Sequence, residues 1–77
     1  MDCDTIKQLI QATLSDANIH VSGDDGVHFE ATVVSRQFEG LNRLKRHRLV
    51  YGALGDRMGG EIHALSLTTL TPEEQGG

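Results

Sequence analysis

The chain has 77 residues, with 7 Lys+Arg against 11 Asp+Glu, four His, one Cys and a formal net charge of -4. That length makes a single domain, residues 1–77, whose fold buries only about 60% of the surface of the unfolded chain, and its acidity excludes indiscriminate coating of nucleic acid, which depends on release of counterions from phosphates. A lone Cys3 forms no intramolecular disulfide, no apolar run approaches the roughly 20 residues that cross a bilayer, and the acidic start Met1-Asp2-Cys3-Asp4 does not suit a targeting peptide, so the expected location is the cytoplasm.

Asp4 is the expected N-cap of a first helix, Thr5 to Leu14, in which Ile6, Leu9, Ile10 and Leu14 recur at helical spacing. Ser15 to Asn18 break it. Alternation then sets Ile19 and Val21 against His20 and Ser22, and Gly23-Asp24-Asp25-Gly26 is a turn signal, because Gly and Asp suit the conformations of tight connections. The second arm, Val27 to Val34, alternates Val27, Phe29, Ala31 and Val33 with His28, Glu30, Thr32 and Val34.

A polar turn ending at Gly40 leads into the central helix from about Leu41 to Leu54. At about 100° per residue, Leu44, Tyr51, Leu54 and Met58 share a face, with Leu41 and Val50 at its margins and Arg46 and Arg57 pointing away. Arg43, Lys45, Arg46 and Arg48 fall within six positions, one concentrated basic site on an acidic chain. Gly55 and Gly59-Gly60 bracket a short turn. Glu61 to Leu70 resumes strand alternation, and Thr71-Pro72-Glu73-Glu74 opens a last helix with Thr as cap, Pro at the first position and Glu three residues on. The order helix-strand-strand-helix-strand with a C-terminal helix stub implies an α+β fold: a hairpin makes the first pair antiparallel and a helical crossover makes the second pair parallel. Both long helices pack on one face of this three-stranded mixed sheet and leave the other open.

Taken together, Phe38-Glu39-Gly40, Arg46-His47-Arg48 followed by Val50-Tyr51, Ile62-His63-Ala64-Leu65 and Thr71-Pro72-Glu73 resemble the BolA family in order and spacing. Val21-Ser22-Gly23-Asp24 with the following His28-Phe29 is most similar to its bacterial IbaG branch. The resemblance runs from about Lys7 to Glu74. It implies the BolA-like, type II KH-like fold and a non-enzymatic adaptor that binds a monothiol glutaredoxin with its glutathione. The two share a 2Fe-2S cluster in iron-sulfur cluster assembly, trafficking or iron sensing. His63 matches the family's ligand, and His28, at the end of the loop between the first two strands, is the best candidate for the second. Both lie on strands expected to pair, on the phase opposite the core residues of the hairpin.

No cofactor is expected in the isolated protein, which would be a monomer or weak homodimer with no membrane partner. The alternative is a KH-like DNA-binding regulator of stress response and cell morphology, with Arg43, Lys45, Arg46 and Arg48 as its contacts or as contacts for an acidic partner. Against RNA readout, the turn before the central helix has one glycine where KH domains use a Gly-x-x-Gly loop. His20 reads as exposed, His47 as packed against the core, and Cys3 as incidental. No nucleophile elbow, phosphate loop or paired-Cys motif supports catalysis.

Overall fold

A computed structural model describes residues 1–60, 62 and 64–76. Helix α1 spans Cys3–Thr13, strand β1 Asn18–Ser22, strand β2 His28–Val34, helix α2 Arg43–Leu54, strand β3 Ala64–Leu70 and helix α3 Pro72–Gly76, with 3-10 turns at Arg36–Phe38 and Gly55–Arg57. The sheet order is β1-β2-β3. β1 pairs antiparallel with β2, Ser22 opposite Glu30, and β2 pairs parallel with β3, His28 opposite Ala64 and Val34 opposite Leu70. The mixed three-stranded sheet expected from the sequence is the one observed.

Apolar alternation decides which face is covered. Phe29, Ala31 and Val33 are buried, and their partners in β3 are Leu65, Leu67 and Thr69. Ile6, Ile10 and Leu14 of α1 and Val50 and Leu54 of α2 join them in one core with Ile19, Phe38 and Ile62. His20, Ser22, His28, Glu30, Ser66 and Thr68 form the exposed opposite face.

Four details differ from the sequence reading. The N-cap of α1 is Asp2, not Asp4: Asp2 Oδ1 accepts from the Thr5 N–H at 2.8 Å, so the helix starts at Cys3. β2 begins at His28, because the Val27 N–H donates to Asp25 Oδ1 at 2.9 Å and belongs to the turn. Ile62, expected within the third strand, stands apart from the β3 ladder, whose described residues are Ala64–Leu70. Ile62 spends its backbone elsewhere, its N–H donating to the Arg57 carbonyl and its carbonyl accepting from the Gly59 N–H, both at 2.8 Å; Glu61 and His63 lie outside the described residues.

The inward face of α2 is the fourth difference. Leu44 is 59% exposed and Tyr51 is exposed, while Arg46, Val50 and Leu54, spaced by four, face inward. The stripe is rotated by roughly a quarter turn from the predicted one. Arg46 drives the rotation. Its Nε donates to the Leu41 carbonyl at 2.8 Å, its guanidinium grips Glu74 at 2.6 and 3.2 Å, and its Cζ lies 5.9 Å from the centroid of the buried Phe38 ring. An arginine whose stem covers apolar surface while its head is paired takes an inward position that a hydropathy pattern assigns to solvent. Thr71 and Glu74 do form the expected capping box, Thr71 N–H to Glu74 Oε1 at 2.8 Å and Glu74 N–H to Thr71 Oγ1 at 3.1 Å.

Candidate ligand site on the open sheet face

His28 is the first residue of the central strand, and alternation turns it away from the core that Phe29 enters. Its side chain is 72% exposed. The preceding turn holds it: Asp25 Oδ1 accepts from the His28 N–H at 2.8 Å, and Asp25 Oδ2 lies 2.8 Å from the ring Nδ1. The His28 backbone N–H, the His28 ring and the Val27 N–H, in that order, hold the Asp25 carboxyl well below the usual carboxylate range. Gly23 packs against the same spot. A Cβ there would stand 2.7 Å from the His28 carbonyl oxygen and 2.8 Å from Phe29 Cδ1, closer than a methyl group fits, so glycine lets the hairpin close over its own turn.

Around His28 runs an open groove of about 760 Å3, to which Ser22, Asp24, Glu30, Ala64 and Ser66 contribute. Because β2 and β3 run parallel, their starting ends lie side by side, and the register partner of His28 is Ala64, the residue that follows His63 in the chain. His63 itself, the ligand named by the family resemblance, is outside the described residues, so the expected phase of its side chain has no counterpart here. Among the described residues no three of His, Cys, Asp and Glu are grouped closely enough to hold a metal ion. Cys3 is a free, half-buried thiol in the first turn of α1, its Sγ 3.8 Å from the Gly23 carbonyl oxygen.

The basic cluster divides. Arg43, Lys45 and Arg48 are exposed on α2, whereas Arg46 is only 14% exposed and carries the pair with Glu74, so three of the four predicted contacts face solvent. Asn42 caps the helix, its Oδ1 accepting from the Lys45 N–H at 2.9 Å. His20 is exposed, as read from the sequence. His47 is half-buried with its ring edge-on to Tyr51, centroids 6.1 Å apart. Burial first, and the nearby Arg43 charge second, push its imidazole below the ordinary value. The residue missed at this site is Asp25, read only as a turn former; the legible signal was its Asp-x-x-His spacing to His28 across the end of a tight turn.

The α+β fold with its three-stranded mixed sheet is shared with solved BolA proteins, and a family model described as BolA-like protein matches residues 6–74. The chain belongs to the BolA family. It is 37% identical to the acid stress protein IbaG of Escherichia coli over 75 residues, 96% of this chain and 88% of that protein. It is 51% identical to human BolA-like protein 1 over 47 residues, 61% of this chain and 34% of the human protein, so the chain spans about a third of that longer relative. Among solved structures, a bolA protein homologue from Coxiella burnetii superposes with a TM-score of 0.88 at 49% identity, covering 100% of this chain and 99% of the other.

Proposed function

We propose that this chain is a non-enzymatic adaptor that pairs with a monothiol glutaredoxin and its glutathione and contributes His63 and His28 to a shared 2Fe-2S cluster, in iron-sulfur cluster assembly, trafficking or iron sensing. The observation that carries the reading is the parallel register of β2 and β3, which sets His28 opposite the residue next to His63. Antiparallel strands of seven residues would separate those ends by roughly 20 Å. Membership of the BolA family supports it further.

The chemistry of the donors fits. Neutral imidazole is an established iron ligand and replaces thiolate in some two-iron clusters, where it raises the reduction potential. The His28 ring is exposed and has one nitrogen engaged by Asp25. Such a cluster takes four protein-type ligands, so two imidazoles leave two positions for the thiolates of the partner and of glutathione. When bound, the cluster supplies electron exchange and transferable iron and sulfide; the part of this chain is to hold its ligands on a rigid sheet and to leave room for the partner. The exposed Arg43, Lys45 and Arg48 offer counter-charges for acidic groups. With Arg46 committed to Glu74, the DNA-binding alternative retains three exposed cations on this helix.

Anaerobic reconstitution with a monothiol glutaredoxin and glutathione, followed by visible circular dichroism, tests the reading. A spectrum distinct from that of the glutaredoxin cluster alone is expected, and His63→Ala should abolish the difference. An unaltered spectrum in that variant would remove the ligand assignment.

A further inference from the structure

Asp25 makes three contacts through one carboxylate. Oδ1 accepts from the backbone N–H groups of Val27 at 2.9 Å and His28 at 2.8 Å, while Oδ2 lies 2.8 Å from Nδ1 of the His28 ring. The backbone contacts close the turn, a task that Asp and Asn perform equally well. The ring contact is a separate matter. A side chain 72% exposed would be solvated without help, so nothing in the fold requires the carboxylate to reach it. Asp24 and Glu30 line the same groove, yet among the described residues Asp25 alone hydrogen-bonds the ring.

An ionised carboxylate only accepts, so the neutral imidazole facing it carries its proton on Nδ1 and keeps the lone pair on Nε2. We propose that Asp25 is a positioning residue for His28: it selects the Nδ1–H tautomer and fixes the ring, leaving Nε2 as the ligating atom. This inference rests on the reading of His28 as a ligand. It makes the hairpin turn a preorganised half-site, with a carboxylate behind the histidine as outer-shell partners stand behind ligating imidazoles.

Asp25→Asn separates the two tasks. Its amide oxygen continues to accept from the Val27 and His28 N–H groups, while its NH2 stands where Oδ2 was and donates to Nδ1, which drives the ring proton to Nε2. Long-range proton–nitrogen correlation on the apo protein, labelled with 15N-histidine and held at a pH where imidazole is neutral, reads the tautomer directly. The wild type and an Asp24→Asn control should show His28 as Nδ1–H, and Asp25→Asn should show the opposite tautomer with the amide spectrum otherwise preserved. A wild-type ring protonated on Nε2, or a tautomer unmoved by Asp25→Asn, would overturn the proposal. In the reconstituted complex Asp25→Asn should weaken cluster retention by roughly 10- to 100-fold. A His28→Ala complex with an unchanged cluster spectrum would instead overturn the ligand reading, and with it the purpose given to Asp25, while the apo tautomer result would stand.

Discussion

Asp16, between α1 and β1, gathers three donors from a segment about twenty residues away: Ser35 Oγ at 2.8 Å, the Arg36 N–H at 2.9 Å and Gln37 Nε2 at 2.9 Å. These bonds, that from Gln37 first, lower its pKa. A carboxylate lowered on folding contributes stability above its unfolded pKa of about 3.9, and that stability is lost as pH falls through the folded value. Asp2, Asp25 and Glu74 are lowered too, so the wild type should lose stability in acid through all four. Urea unfolding across a pH series should show a shallower acid limb for Asp16→Asn. At neutral pH, Asp16→Ala should cost about 1–3 kcal/mol, the price of a buried Ser35 hydroxyl without its acceptor. An acid limb as steep as wild type would mean that these bonds do not persist in solution. Asp16 was not legible as more than a helix breaker, because its partners are distant in sequence; Asp25 left only its spacing to His28 as a signal, since its contact with the ring depends on how the turn closes.

The strands and the extent of the central helix were legible, but the inward face of that helix was not. Each strand has one covered face, and a period of two leaves little freedom in which side chains enter the core; Phe29, Ala31 and Val33 went where their alternation sent them. In α2 apolar residues stand on several sides, so the true inward stripe is settled by what Arg46 does at the C-terminal end of the fold. Leu44, which lies on the predicted face alone, is tested against Leu54, which both faces share. Leu44→Ser should change stability by no more than about 0.5 kcal/mol, because the side chain is exposed. Leu54→Ala should cost about 2–5 kcal/mol, because it empties a fully buried position. Urea midpoints with comparable slopes would decide it, and a Leu44→Ser cost matching that of Leu54→Ala would restore the face expected from periodicity. Strand boundaries were misjudged where a turn used a backbone N–H that the alternation had assigned to the ladder, as at Val27 and Ile62.

For the molecule as a whole, topology matters more than any single side chain. Two helices cover one face, and the parallel crossover through α2 returns the chain so that β3 starts beside β2. The order of elements and the mixed pairing were readable from hairpin and crossover rules. The candidate site was readable only through the family motifs, because isolated histidines on a strand carry no signal that separates a ligand from a surface residue. No helix among the described residues is long and apolar enough to cross a membrane. The open sheet face at the start of β2 is therefore where the account stands or falls. Pulsed electron paramagnetic resonance on the reduced complex with glutaredoxin, made with 15N-histidine in this chain alone, measures whether its imidazoles touch the cluster. Two coupled histidine nitrogens are predicted, one lost in His28→Ala and the other in His63→Ala; a cluster coupled to no histidine nitrogen of this chain would contradict the account.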